Sequence, residues 1–173
     1  HSAKYLLLPI QEGSKEGQVK LETGSPADTE MDIRLAIDSV EYYVPFALTQ
    51  SEGGATVTIR NVAADALCWD SIKVSDTFDT TNRDKFRPLY HHTPLYGWMN
   101  DANGLVYKDG EYHLYFQHNP YGSMWGNMHW GHSVSKDLVH WEHLDPAIVR
   151  DTLEHIFSGS AIVDKNNSAG YGE

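Results

Sequence analysis

The chain has 173 residues, with 24 acidic and 13 basic side chains, ten histidines and one cysteine. This length admits one ordinary domain or two small ones, and the net charge of −11 argues against nucleic-acid or anionic-membrane partners, which require clusters of Lys and Arg. No apolar run approaches the roughly 18 residues of a membrane-spanning helix, and the single Cys68 excludes an internal disulfide framework.

The two halves of the chain differ in composition. Nine of the ten histidines and four of the five tryptophans lie after Asn82. The turn-rich run 75–82 stands at this change and indicates a linker. We therefore predict a first domain over 1–78, a linker over 79–87 and a second domain over 88–173. The chain begins at His1 without a leader pattern, which indicates a processed or cut N-terminus.

The first domain has a hydrophobic period of two. An apolar residue stands at every second position from Met31 to Ile37, which is typical of a strand with one buried face. Similar reasoning predicts strands at 5–8, 18–22, 31–37, 41–48, 55–59 and 72–74. Turn residues separate them, at 24–26 and 53–54 among other places. This spacing predicts a small antiparallel β-sandwich.

The second domain shows a succession of short strands. Residues 104–118 predict a hairpin around Asp109-Gly110, a strong two-residue turn signal. Further strands are predicted at 129–135, at 139–143 and from 157 to 164. Four consecutive antiparallel strands followed by a new one describe one blade of a β-propeller and the edge of the next. A single blade leaves apolar faces uncovered, so we expect the chain to be a piece of a longer protein.

The run 97–104 (GWMNDANG) carries the chemistry of the second domain. Asp101, held in a short turn ahead of a strand and shielded by Trp98, would be a rigid, ionised carboxylate suited to attack an anomeric carbon. The same composition is also typical of an ordinary turn, and on composition alone the ordinary turn is favoured.

Five motifs resemble, in order and spacing, those of glycoside hydrolase family 32, the invertases, inulinases and levanases. They lie at 90–94 (YHHTP), 98–104 (WMNDANG), 116–120 (FQHNP), 125–141 (WGNMHWGHSVSKDLVHW) and 157–160 (FSGS). The resemblance implies a five-bladed β-propeller that hydrolyses fructans by a retaining, double-displacement mechanism without a cofactor. The predicted fold class is thus all-β: an N-terminal β-sandwich, then the first blade and the start of the second blade of a truncated propeller.

The resemblance also implies roles for individual residues. Asp101 corresponds to the catalytic nucleophile, Asn100 would bind a fructose hydroxyl and fix the carboxylate, and Gln117 would hydrogen-bond the fructosyl unit. Three aromatic residues would form apolar walls of the pocket, namely Trp98, Trp125 and Phe157. The hydroxyl of Ser158 would add a polar contact. Ala102 departs from the family, which usually has Pro after the nucleophile. Ala releases φ and restores an N–H, and we expect the turn to persist.

The second carboxyl group of this mechanism is missing from the sequence. In the family the acid/base is a Glu in a Glu-Cys pair, and a stabilising Asp lies in an Arg-Asp-Pro motif. Here Leu67 precedes Cys68, and the Arg-Asp pairs at 83–84 and 150–151 are not followed by Pro. General acid assistance contributes about 10²–10⁴-fold in rate, so the chain by itself is expected to be inactive.

The first domain resembles, less specifically, an accessory β-sandwich that precedes levanase-like family 32 enzymes of gut bacteria. This favours levan or another fructan over sucrose as the substrate. It also favours an exported bacterial protein, whether periplasmic, cell-surface or secreted. The expected partner is a fructan or fructo-oligosaccharide, without nucleic acid or a membrane-spanning segment, and the sequence does not indicate an oligomeric state.

Three other functions were weighed against this one. Histidine pairs three positions apart, at 129/132 and 140/143, suggest metal ligands, but on strands this spacing places them on opposite faces, so we predict no metal site. A non-catalytic carbohydrate-binding module fits the aromatic residues, although a lectin needs no nucleophile beside Asn100. A five-bladed family acting on arabinans or xylans is disfavoured by the FSGS run at 157–160.

Overall fold

The computed structural model describes residues 3–23, 28–48, 55–81 and 85–172. Three of the sequence predictions lie wholly or partly outside the described residues: the turns at 24–26 and 53–54, and positions 82–84 of the linker. Within the described ranges the chain forms ten strands and a single-turn helix, α1 (Cys68–Ser71). The chain is therefore nearly all β, as the alternating sequence pattern predicts.

The first half of the chain forms two small antiparallel sheets. Its strands are β1 (Tyr5–Ile10), β2 (Gly17–Glu22), β3 (Thr29–Ile33), β4 (Tyr42–Ala47), β5 (Thr56–Arg60) and β6 (Lys73–Ser75). One sheet has the order β4-β1-β6 and the other the order β3-β2-β5. The central strand β1 pairs with two strands distant in sequence, whereas β2 pairs with the next strand, β3, and with the more distant β5.

One hydrophobic core joins these two sheets. Alternate residues of β2 and β3 face inward, and they meet buried residues of β1 and β4; the largest are Leu8, Ile10, Leu21, Met31, Ile33 and Phe46. The alternation predicted from Met31 to Ile37 ends early, because β3 stops at Ile33 and Ile37 is 45% exposed. The side chain of Gln11 accepts the N–H of Ile37, which draws the backbone away from the sheet.

The second half forms a four-stranded antiparallel sheet. Its strands are β7 (Trp98–Lys108), β8 (Glu111–Asn119), β9 (His129–Ser135) and β10 (Glu142–Ile148). Their order, β10-β9-β8-β7, is that of consecutive neighbours, as in one propeller blade. The predicted turn between β7 and β8 is confirmed: Asp109 and Gly110 have φ of 52° and 89°.

Two predicted strands of the blade differ in the structure. The fourth was placed at 139–143 but runs from Glu142 to Ile148. The carboxylate of Asp137 accepts the N–H groups of Val139 and His140, so these residues form a turn instead. Residues 157–164 form no strand among the described residues, because only Gly159 makes a backbone hydrogen bond to β7, from the N–H of Gly104.

The two halves share a core residue. Tyr121 lies in the loop after β8, yet its ring is 91% buried within the core of the first half. Its centroid lies 5.6 Å from that of Phe46. The blade itself is less well covered, because large apolar side chains of β7 such as Leu105 and Tyr107 are exposed. A propeller blade buries such surface against its neighbours.

Candidate active site

The motif at 98–104 lies in a bulged strand rather than in a turn. Met99 of β7 is opposite His118, and Ala102 is opposite Phe116. Between these pairs, the two residues Asn100 and Asp101 oppose the single residue Gln117. This is a β-bulge, a feature that redirects side chains and is frequent beside active sites. The predicted turn is therefore wrong, although the bulge still gives Asp101 a special backbone setting.

Asp101 is exposed rather than shielded by Trp98. The indole Nε1 of Trp98 donates to Asn100 Oδ1 at 3.0 Å, which turns the ring toward the amide instead of over the carboxylate. The backbone oxygen of Asp101 accepts Asn103 Nδ2 at 3.2 Å, so the bulge is also tied from within. The carboxylate accepts no hydrogen bond from the described residues, and it is thus open to react.

Two amide groups face the bulge as donors. The Oδ1 of Asn100 is occupied by Trp98, which leaves Nδ2 to donate to another group. Gln117 is only 2% exposed, and its Nε2 is buried with no hydrogen-bond partner among the described residues. An unpaired buried donor costs about 1–3 kcal/mol, so such groups are rare unless they serve a ligand. The arrangement could bind a hydroxylated substrate beside the carboxylate.

Phe157 and Ser158 are brought to the edge of β7 by Trp130. The indole Nε1 of Trp130 donates to the Phe157 carbonyl at 2.9 Å. Glycines on both sides make room for the ring, since a Cβ at Gly104 or at Gly159 would lie 3.0 Å from it. Trp130 was not predicted as a site residue. The signal in the sequence is the pair of motif glycines, Gly104 and Gly159, which leave space for a large ring between them.

A row of aromatic rings extends this wall toward Trp125. The rings of Trp125 and His155 have centroids 5.1 Å apart, and those of His155 and Phe157 lie 6.0 Å apart. His155 Nδ1 also accepts the N–H of Met128 at 3.1 Å, which fixes its ring. His155 was not predicted as a site residue, because the resemblance assigns it no role. The structure thus brings Trp125 and Phe157 together through an intervening residue.

The histidines of the blade form hydrogen bonds within the sheet. His113 Nδ1 lies 3.0 Å from His132 Nε2, and His129 bonds through Nδ1 to the Asn127 carbonyl. Burial lowers the pKa of His129 to about 4, against the opposing effect of that hydrogen bond, so the ring is neutral at pH 7. Among the described residues, no cluster of His, Cys, Asp and Glu could hold a metal ion.

Comparisons with known families match the two halves separately. Residues 91–171 match the family model of the glycosyl hydrolases family 32 N-terminal domain, and residues 1–90 match that of a domain of unknown function, DUF4980. The first half of the chain therefore belongs to the second of these families, and the second half is similar to the N-terminal domain of glycosyl hydrolases family 32.

Individual relatives and a solved structure support the match to family 32. The levanase of Bacillus subtilis (strain 168) is 58% identical over 98 residues, which are 56% of this chain and 14% of the levanase. The extracellular exo-inulinase of Aspergillus awamori is 50% identical over 93 residues, 51% of this chain and 17% of that protein. A crystal structure of exo-inulinase from Aspergillus awamori is similar with a TM-score of 0.51 and 46% identity, covering 56% of this chain and 19% of that one.

The chain thus spans less than a fifth of the length of these relatives. The propeller of the family is accordingly covered only in part, by the blade formed by β7 to β10. In the part of the chain that the structure describes, no helix has the length and apolar character needed to cross a membrane.

Proposed function

We propose that the whole protein containing this chain hydrolyses the fructosidic bonds of fructans such as levan. The observation that carries this proposal is the bulge in β7, where the exposed Asp101 follows Asn100 and lies opposite Gln117, whose buried Nε2 has no hydrogen-bond partner among the described residues. Relatives named levanase and exo-inulinase support the substrate class. The first of these names also supports levan as the particular fructan.

Asp101 is the nucleophile in the proposed mechanism. Its carboxylate attacks the anomeric carbon of a fructosyl unit and forms a covalent ester while the glycosidic bond breaks. A carboxylic acid protonates the leaving oxygen, and then, as the base, activates the water that cleaves the ester. The anomeric configuration is retained over the two displacements. A retaining pair needs the second carboxyl about 5–5.5 Å away, and the family's Glu-Cys motif for it is not in this sequence.

The remaining predicted residues hold the substrate. Asn100 Nδ2 and Gln117 Nε2 donate to fructosyl hydroxyls, whose oxygens can accept both. The apolar faces of the sugar lie against aromatic rings, and Ser158 adds a polar contact; the rings are those of Trp98, Trp125 and Phe157. Trp130 positions the last of these through its hydrogen bond to the Phe157 carbonyl.

We further propose the domain organisation and location of the protein. An accessory β-sandwich over 1–78 and a linker over 79–87 precede the propeller part over 88–173. The family boundary between residues 90 and 91 supports a division near the linker. The protein is exported to the periplasm, cell surface or medium of a bacterium in this proposal; the name of the extracellular exo-inulinase supports export, and the levanase of Bacillus subtilis supports a bacterial source.

Asp101→Asn in the whole protein tests the nucleophile. Because Asn has no charge to attack carbon, we expect release of reducing sugar from levan, inulin and sucrose to fall by about a thousandfold or more. Asp109→Asn is the matched control: it lies in the β7–β8 turn at φ 52°, which Asn tolerates. Turnover that is unchanged in Asp101→Asn contradicts the assignment.

The chain of 173 residues alone should release no fructose from these substrates. It supplies the nucleophile without the acid/base, whose absence lowers the rate by about 10²–10⁴-fold. Incubation of the purified chain with levan or a fructoside, followed by a fructose assay, checks this. A robust rate would show that a carboxyl within the chain acts as the acid.

A further inference from the structure

The loop at 121–127, which carries Trp125, is attached to the first half of the chain. Tyr121 at its start lies in the core of that half. The N–H of Ser123 donates to Glu12 Oε1 at 3.0 Å, and Tyr42 donates to the same carboxylate oxygen. Burial works to raise the pKa of Glu12, but these hydrogen bonds outweigh it and lower the pKa, so the carboxylate is ionised at pH 7.

The end of the loop is held by a polar cluster. Asn127 Nδ2 donates to the Asp32 carbonyl at 2.7 Å, and the Asp32 N–H donates back to Asn127 Oδ1 at 2.9 Å. Arg150 Nη1 bonds both Asp32 Oδ2, at 3.0 Å, and Asn127 Oδ1. Asn127 is buried and the Arg150 side chain is only 13% exposed, so the bonds to Asn127 are shielded from water, whereas the Asp32 carboxylate is 42% exposed. The loop is therefore fixed at both ends by the first half.

A cavity of about 120 Å³ lies between this loop and the first half. The first half contributes three carboxylates and a guanidinium, and the second half contributes two rings; these six residues are Glu12, Glu16, Asp32, Arg34, Trp125 and His155. Trp125 is 53% exposed although it lies beside so many polar groups. Glu12 Oε2 is buried and has no hydrogen-bond partner in the described part of the chain. The cavity thus offers an aromatic face and an unused acceptor.

This combination suits a neutral, polyhydroxylated ligand. Carboxylates accept hydrogen bonds from hydroxyls, the guanidinium donates to their oxygens, and an indole packs on C–H faces. The excess of carboxylates disfavours an anion. Two of the three carboxylates are already in ion pairs, Glu16 with Arg34 at 3.3 Å and Asp32 with Arg150 at 3.0 Å, which leaves only that of Glu12 for a metal ion.

We propose that this cavity binds a sugar unit of the substrate other than the fructosyl unit that is transferred, so that the accessory domain forms part of the substrate cleft. The inference rests on the proposed function, because Trp125 is shared between the cavity and the predicted wall around the transferred unit. The aromatic row from Trp125 through His155 to Phe157 makes the two regions continuous. The accessory domain then contributes to selectivity for fructan chains.

Two variants of the whole protein test the cavity in different ways. Gly122→Leu fills it, since Gly122 lines the cavity, its φ is not in the left-handed region, and an added Cβ meets only Asn119 Nδ2 at 3.7 Å. Glu16→Gln removes one acceptor charge without changing shape. Glu22→Gln is the matched control, because Glu22 forms a similar exposed ion pair with Lys20 away from the cavity.

The kinetics compare a fructo-oligosaccharide of several units with methyl β-D-fructofuranoside, which has no second sugar. We expect both variants to raise KM for the oligosaccharide about three- to tenfold, with Gly122→Leu the stronger, and to leave KM for the methyl fructoside within about twofold. The control should resemble the unmodified protein with both substrates. Unchanged oligosaccharide KM, or equal losses with both substrates, overturns the proposal.

A binding measurement separates this inference from the proposed function. Calorimetric titration of the oligosaccharide into Asp101→Asn, and into Asp101→Asn combined with Glu16→Gln, measures binding at the cavity without turnover. Weaker binding in the combined variant supports the cavity even where no fructoside is hydrolysed, a result that would contradict the proposed function alone. Equal binding in the two proteins overturns the cavity.

Discussion

Gln117 shows how a residue can be retained for binding at the expense of stability. It lies opposite the bulge, is almost fully buried, and its Nε2 has no partner among the described residues. Folding alone would favour an apolar side chain of similar volume at this position, because the donor loses water on burial and gains nothing in exchange. The proposed use of this N–H is a fructosyl hydroxyl.

Gln117→Met should have different effects on stability and on activity. We expect the free energy of unfolding of the chain to stay the same or rise by about 1 kcal/mol, because an unpaired donor is removed. In the whole protein, kcat/KM for levan should fall by about tenfold or more, the equivalent of about 1.4 kcal/mol. Denaturant titration and steady-state kinetics give the two values.

The control for this change is Gln18→Met on β2. Gln18 Nε2 already donates to Glu30 Oε1 at 2.8 Å, so this variant loses a formed hydrogen bond. It should be less stable by about 1 kcal/mol with unchanged kcat/KM. A Gln117→Met protein that is destabilised and fully active would contradict the role proposed for Gln117.

The motif residues could be named from the sequence, but their surroundings could not. Asp101, Asn100 and Gln117 are predicted as site residues from motifs in register, and the structure places them at one bulge. The exposure of Asp101, in contrast, is visible only in the structure, where the Trp98 indole donates to Asn100 Oδ1. Trp130 was missed because its function depends on a partner 27 residues away, the Phe157 carbonyl, and no local pattern encodes that contact.

At the scale of secondary-structure elements, the period-two pattern predicted strands correctly where strand pairing also favours them. The six strands of the first half were all predicted, and β9 has the predicted bounds. Turn composition was misleading at 100–104, because the ladder with β8 imposes an extended backbone and accommodates extra residues as bulges. At 139–143 the error was the reverse: the carboxylate of Asp137 captures two backbone N–H groups that a strand would have used.

Trp130→Phe should loosen the segment at 157–159 from β7. The change removes the Nε1 hydrogen bond to the Phe157 carbonyl and part of the ring that contacts both glycines. We expect about 1 kcal/mol less stability and a higher KM for fructan in the whole protein, with kcat changed less. Thermal unfolding and kinetics are the measurements.

Trp69→Phe is the matched control for that variant. Trp69 in α1 donates in the same way to a carbonyl, that of Ala63, at 2.8 Å, but it lies in the first half. Its substitution should cost a similar amount of stability and leave KM unchanged. An equal effect of both substitutions on KM would refute a positioning role for Trp130.

The whole molecule should be sensitive to acid because two of its histidines, His129 in the blade and the half-buried His92, are held neutral. Burial lowers the pKa of His129 to about 4, and burial together with nearby His143 lowers that of His92 to about 4. In the unfolded chain both would titrate near their ordinary value of about 6.5. Between pH 6.5 and pH 4 the unfolded state therefore binds more protons than the folded state. The contribution of these histidines to the free energy of unfolding is fully present above about pH 6.5 and is lost as the pH falls toward 4.

Denaturant titrations of the chain between pH 7 and pH 4 measure this loss. Each of the two histidines should contribute up to about 1.4 kcal/mol per pH unit in that range. His92→Asn should reduce the slope of the unfolding free energy against pH by nearly one proton. A flat profile in the unmodified chain would contradict the buried neutral state of these rings.

The position of Tyr121 limits how the protein could be divided. The two families meet at residues 90 and 91, yet the core of the first half is completed by a ring from the loop after β8. A version cut at that boundary would leave a ring-sized void beside Phe46 and expose an aromatic side chain on the other piece. A different domain joined to the blade in place of the first half would therefore need its own packing site for Tyr121, or another residue at that position.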